Sequence, residues 1–479
     1  MWAPVLVSLL AGLSFVAEAA TCRPKLPHVT LPYGTWQASK YEPKAEVFTF
    51  KNIRYAAPPT GNRRFARPEP PEPVQGIQDG SYGPACATSP AAGAVNKTLI
   101  YTSGSKEELP SQGHYDGTGI IYQAQGDAVV VVINYRVGIL GWLGGSAAEE
   151  AKATNLGLYD QRAALQWVRD YIHLFGGDPS NVSTWGASAG SGSIMHHLMQ
   201  KGGQRDPLFH KAVLSSPGFF PTWDLQGAQA FVETILGNVN CTADGFDCLR
   251  AADITDEDIP AFSPSPVPDG DFFERPPPLE FADGRYWKDL ESIVVSHTAN
   301  EGFPWSLFGT LETEDDLREW ILSTFGNRSD LIPAIIEQYP ASSANTPADR
   351  YEAMANDIVF YVYAGVYAVG EATHASDTYP MWYNPTLGLT DPLLTGTPEL
   401  NDIYQAYIVS HARTGNVNSF RKPRTSIKWP KVLDSREDEI NALKSTDLGF
   451  QVIRDTNGTR STCDVWVDVY REIWDSGYD

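Results

Sequence analysis

Positive charge is scarce in this chain. Its 479 residues include 36 Lys and Arg against 58 Asp and Glu, a net charge of −22 with a pI of about 4.8. A surface of that sign repels phosphate backbones, which excludes a nucleic-acid partner and disfavours anionic membranes. Long apolar runs are also missing: outside the extreme N-terminus none approaches the roughly 20 residues needed to cross a bilayer. Cysteine is sparse, five in all, and no Cys-x-x-Cys or His/Cys cluster has the spacing of a metal site. No internal repeat or low-complexity tail is present. Apolar area, by contrast, is ample: 42% of residues are hydrophobic and 11% aromatic, enough to offset chain entropy and exclude a disordered chain.

The N-terminus opens with a mostly apolar run from Val5 to Val16, followed by Ala17-Glu18-Ala19-Ala20. That pattern reads as a signal peptide over residues 1–20, although its only positive charge is the terminal amine. Five Asn-x-Ser/Thr sequons, at Asn96, Asn181, Asn240, Asn327 and Asn457, fit an exported chain. Export predicts disulfides. Cys241 and Cys248 are close enough to close a small surface loop, and Cys22 and Cys463 lie near the two ends and are placed to staple them. Cys86 is then the orphan of an odd set.

Length alone suggests more than one domain, yet the pattern argues for one wound α/β sheet over residues 21–479. Val47–Phe50 reads as a short strand in a Pro- and Gly-rich opening segment. The β-branched run within 127–143 reads as a strand buried on both faces. A helix is expected from about Leu158 to Phe175, with Leu158, Leu165, Val168 and Ile172 on one face, ended by Gly176-Gly177-Asp178-Pro179. Strands follow at Val182–Trp185, Ala212–Ser215 and Ile293–Val295, with helical patterns across 310–340 and a Pro-rich loop from Pro264 to Pro278.

Gly186-Ala187-Ser188-Ala189-Gly190 is the one Gly-x-Ser-x-Gly in the chain, and it lies between a predicted strand and a predicted helix. That context is the one a nucleophile elbow needs: a sharp turn lifts Ser188 Oγ above the sheet, and the Ala189 N–H opens the helix facing a developing oxyanion. Three further blocks accompany it. They are Phe50 to Pro68 (Phe-Lys-Asn-Ile-Arg-Tyr-Ala-Ala-Pro-Pro, then Gly61, Arg64-Phe65 and Pro68), Asn134-Tyr135-Arg136-Val137-Gly138, and Asn155 through Asp160-Gln161 to Asp178-Pro179. Together the four blocks resemble the type-B carboxylesterase family of cholinesterases and fungal lipases, with weaker similarity to about Gly415.

The resemblance implies an α/β-hydrolase fold and a secreted carboxylic-ester hydrolase that works through an acyl-enzyme, with no metal or organic cofactor. An activated serine needs a histidine and a carboxylate, and in this fold they follow it in the order acid, then histidine. Thr298-Ala299-Asn300-Glu301-Gly302, after the strand Ile293–Val295, is similar to the family's Glu-Gly block and makes Glu301 the acid. Six of nine histidines, up to His210, precede it. His297 reads as structural and His411 falls in a late helix. His374, in His374-Ala375-Ser376-Asp377, resembles the family's His-Gly-x-Asp/Glu and is the expected base, delivered by a strand within Tyr361–Val369. The partner is a small-molecule or lipid ester; short-chain, triacylglycerol and aromatic esters fit equally, and no motif speaks to oligomeric state.

The departure from the family lies in the oxyanion hole. Relatives carry a Glu-Asp-Cys-Leu block, a strand, and a second strand ending in His-Gly-Gly-Gly; this chain has no His-Gly and no Gly-Gly-Gly. A segment is missing between about residues 87 and 100, which also removes the expected partner of Cys86. Two readings follow: an esterase whose coding sequence has lost a piece, or a catalytically impaired esterase-like binding protein. Ala187, where many relatives have Glu, is a smaller departure.

Overall fold

The computed structural model describes residues 24–81, 117–218, 225–243, 245–254, 258, 265–298, 301, 313–324, 328–340, 346–347, 350–351, 354, 365–368, 376–384, 397–422, 426–431, 440–446, 449–455 and 460–475. Residues 1–23 and 82–116, and with them Cys22, Cys86 and the expected signal peptide, lie outside this set.

The opening segment forms small sheets. Strands β1 (His28–Leu31) and β2 (Gly34–Gln37) make an antiparallel pair extended by β5 (Ile77–Gln78), while β3 (Lys40–Glu42) and β4 (Val47–Thr49) form a separate hairpin. Trp36, fully buried, packs with Leu31, Trp167 and Ile172 and fixes this segment onto the helix Leu156–Tyr171. That helix continues as a 3-10 turn, Ile172–Phe175, and stops where Gly176 adopts φ 85°, a conformation that favours glycine.

The main sheet holds six strands in the order β11-β10-β9-β8-β7-β6. Strands β6 (Ser183–Ala187), β7 (Lys211–Ser215), β8 (Ser292–Thr298), β9 (Gly365–Ala368) and β10 (Ile440–Thr446) run parallel, and β11 (Gly449–Asp455) closes the far edge as a hairpin. Every residue of β7 is buried. Alternation sends Ala212 and Leu214 against Ile194 and Leu198 of the helix Ala189–Leu198, while Val213 meets Tyr404, Tyr407 and Ile408 of the helix Pro398–Thr414. Helices thus cover both faces, the layering that parallel strands require.

One expectation fails. The β-branched run after Asp127 joins no ladder among the described residues and is not buried on both faces. Ala128, Val130 and Val132 pack beside Trp185 and the helix Pro398–Thr414, whereas Val129 and Val131 are 40% and 39% exposed. Strand burial comes from neighbours, and here β6 ends the sheet, so no described strand stands beside it to pair with this run. A hollow of about 2810 Å³ among the described residues borders both, lined by Val129, Val131, Leu174, Trp185, Ile194 and Phe420 among others.

The end of the run is held firmly. Arg136 is buried and grips Asp160 with Nε at 2.7 Å and Nη2 at 2.8 Å, while its Nη1 donates to the Ala66 carbonyl at 2.7 Å. The fork matches the carboxylate's two oxygens, so three separate chain segments meet at one guanidinium.

Cys241 and Cys248 are bonded as expected, with Cα atoms 5.4 Å apart; the loop they close exposes Thr242, Ala243 and Asp247, while Cys241 itself is buried among Leu156, Ile235 and Leu249. Cys463 sits half-buried in the helix Arg460–Asp475.

Candidate active site

β6 runs directly into the helix Ala189–Leu198 through Ser188, whose φ of 53° and ψ of −128° lie outside the regions that ordinary residues populate. The turn is held from several directions. The Ser188 N–H donates to the Ser215 carbonyl at 2.9 Å, and the Ser188 carbonyl accepts from the Gly192 N–H at 2.9 Å. Ser191 Oγ donates to the same Ser215 carbonyl at 2.9 Å. Strain at one residue is thereby sustained by its surroundings.

Of the two glycines flanking the turn, Gly186 is the one sterically required. A Cβ there would stand 2.6 Å from the Gly190 carbonyl carbon and 2.7 Å from the Ser191 nitrogen. At Gly190 a Cβ would meet nothing within 4 Å, because this position borders the hollow. Ser188 and Ala189 are both half-buried.

Glu301 follows the end of β8 and is 1% exposed, so it is not a solvated loop carboxylate. Its Oε1 accepts from Ser216 Oγ at 2.5 Å and from the Thr298 N–H at 2.5 Å. Ser216 in turn donates its backbone N–H to the Ser296 carbonyl at 2.6 Å. Ser188, Ser216 and Glu301 therefore stand at the same ends of three adjacent strands, β6, β7 and β8, which the register Ala187↔Ser215↔Ser296 places side by side.

His374 lies outside the described residues. Three positions on, Asp377 is fully buried and its Oδ2 accepts from Ser296 Oγ at 3.1 Å, which anchors Asp377 on β8. Five other histidines, His196, His197, His210, His297 and His411, have hydrogen-bond partners of their own. His411 Nε2 lies 2.8 Å from Ser292 Oγ, at the first residue of β8, roughly 20 Å at about 3.3 Å per residue from Thr298, whose N–H holds Glu301. His297 Nδ1 bonds the Thr298 carbonyl at 2.7 Å. Burial lowers His196 to about 4 and His197 to about 3, so both are neutral. Gln161 accepts from His197 at 3.1 Å and donates to Ser193 Oγ at 2.9 Å, joining the two helices below the turn.

Sequence reading missed Ser216. Its only local trace is the Ser215-Ser216 pair closing a strand, and its role arises from the strand register. Among the described residues no three His, Cys, Asp or Glu side chains are grouped to hold a metal ion, and no helix is long and apolar enough to cross a membrane.

Comparison with known proteins gives a consistent result. The carboxylesterase family model matches residues 25–98 and 95–368, two stretches that meet within the region where the sequence lacks its expected block. A secreted lipase of Arthroderma benhamiae is 32% identical over 488 aligned positions, covering 95% of this chain and 94% of that one. As 95% of 479 residues is about 455, about 33 of those positions hold a lipase residue opposite none here. Carboxylesterase patB of Aspergillus clavatus is 27% identical over 567 positions, covering 97% and 99% of the two chains. The crystal structure of Aspergillus niger EstA shares the α/β-hydrolase fold, with a TM-score of 0.73 at 23% identity over 94% of this chain and 99% of that one. The chain belongs to the carboxylesterase family.

Proposed function

We propose that this protein is an exported carboxylic-ester hydrolase whose nucleophile is Ser188. The observation that carries the reading is the strained serine at the end of β6 beside a buried carboxylate, Glu301, bound across the ends of β7 and β8. Ser188 Oγ attacks the ester carbonyl carbon and passes its proton to His374, which Glu301 orients. The C–O bond to the alcohol then breaks, the imidazolium protonates the leaving alcohol, and an acyl-serine remains. Water, deprotonated by the same histidine, attacks that carbonyl and releases the acid with Ser188 restored. The Ala189 N–H, at the positive end of its helix, is a donor to the oxyanion. A single domain over residues 21–479 carries these groups, and export is supported by the N-terminal pattern and by a relative named a secreted lipase.

A second reading, an impaired hydrolase, is favoured by one feature: the two stretches of the family match meet at residues 95–98, where the sequence lacks the family's glycines. Loss of one oxyanion donor costs about 100- to 1,000-fold in turnover. This chain is therefore expected to turn over more slowly than its relatives while keeping the same nucleophile.

A fluorophosphonate probe followed by peptide mapping tests the assignment, because it bonds covalently to an activated serine and does not need fast turnover. Label on the Ser188 peptide supports the reading. An unlabelled Ser188 beside a labelled control esterase counts against it.

A further inference from the structure

Of the five sequons, Asn181 and Asn240 fall among the described residues, and their surroundings differ. Asn181 lies in the turn before β6, where its Oδ1 accepts from Lys211 Nζ at 2.5 Å. That ammonium is buried and has Glu291 as its other partner at 3.0 Å. The third residue of the same sequon, Ser183, opens β6 and is paired with Lys211 of β7, and its Oγ accepts from the Trp185 indole at 2.8 Å. A sugar that drew the Asn181 amide towards solvent would leave a buried cation with one partner fewer, a costly outcome.

Asn240 meets none of these constraints. It is exposed, and it follows the helix Leu225–Asn238 in the left-handed region with φ 57°, which asparagine tolerates better than most residues. Its backbone N–H closes the helix end on the Gly237 carbonyl at 3.1 Å. Among the described residues its side-chain amide has no hydrogen-bond partner, and Thr242, the hydroxyl residue of the sequon, is exposed. The next residue, Cys241, is buried and disulfide-bonded to Cys248, so the turn is pinned beneath while its amide faces outward.

We propose that Asn240 carries an N-linked oligosaccharide. The reaction joins Asn240 Nδ2 to the anomeric carbon of a lipid-diphosphate-linked oligosaccharide; the lipid diphosphate leaves and the amide loses one proton. Attachment takes place on the unfolded chain, so the folded geometry acts as a filter on what is retained, and Asn240 passes that filter where Asn181 does not. The inference rests on the export reading.

The test is peptide mapping of the full chain secreted from a eukaryotic host, after enzymatic deglycosylation that leaves Asp at each occupied site. The expected result is Asp at 240 and Asn at 181, with Thr242→Ala lowering the intact mass by one oligosaccharide. Secreted protein with an unmodified Asn240, including one modified only at Asn181, overturns the proposal and leaves export standing. Chain retained in the cell and unmodified at every sequon overturns both.

Discussion

Ser216 Oγ donates to Glu301 Oε1 at 2.5 Å, and this bond ties the end of β7 to the carboxylate that follows β8. A buried carboxylate needs such donors to remain ionised and fixed in place. Hydrogen bonds to charged groups contribute about 1.5–3 kcal/mol, so Ser216→Ala is expected to lower kcat/KM by ~10- to 100-fold. Steady-state kinetics with a short-chain aryl ester, beside a thermal unfolding curve, separates this from a folding defect. An unchanged kcat/KM would remove Ser216 from the site.

The turn at Ser188 depends on Gly186. A Cβ at that position meets backbone atoms of Gly190 and Ser191, which cannot rotate away as a side chain does. Gly186→Ala is expected to cost about 1–3 kcal/mol of stability, as overpacking does, and to abolish probe labelling of Ser188. Urea unfolding and the fluorophosphonate label are the two readouts. A stable, fully labelled variant would show that the elbow is looser than described.

The run from Ala128 to Ile133 lacks a ladder partner among the described residues, so its amides are expected to exchange with solvent far faster than those of β7. Hydrogen–deuterium exchange read by mass spectrometry measures this directly. Inserting a strand that ends in Gly-Gly-Gly, the block the sequence lacks, between Cys86 and Tyr101 is expected to slow that exchange and to raise turnover by ~100-fold or more. Equal protection of the run and of β7 in the unaltered chain would mean the sheet is complete without those residues.

Three buried histidines set an acid limit. Burial lowers His196 to about 4, His197 to about 3 and His411 to about 4, from an ordinary 6.5, and Lys211 adds to the effect at His411. The unfolded chain binds these protons near pH 6.5 and the folded chain does not. Stability is therefore fully present above about pH 6.5 and declines as pH falls towards 4. The unfolding midpoint is expected to drop across that window, and His411→Gln to flatten part of the slope. A midpoint that stays level from pH 7 to 4.5 would contradict the burial of these rings.

Local pattern made much of this molecule legible. The elbow, the helix after Asn155, β7 and β8 stand where periodicity and turn residues put them, because each is specified by its own neighbours in sequence. The run after Asp127 was not legible in the same way. Its composition demands a buried strand, yet burial depends on partners elsewhere in the chain, and beside β6 none is described. Ser216 was equally invisible, since a serine after a strand acquires meaning only when the register brings the ends of β7 and β8 together and its hydroxyl reaches Glu301. The buried depth of Cys241 likewise depends on how two helices pack.

The most direct test of the account is hydrolysis of a short-chain aryl ester by the purified chain beside its Ser188→Ala variant. The parent chain is expected to turn over slowly, below the rate of an intact relative, and the variant not above background. Equal rates from both proteins would contradict the assignment of Ser188 as nucleophile.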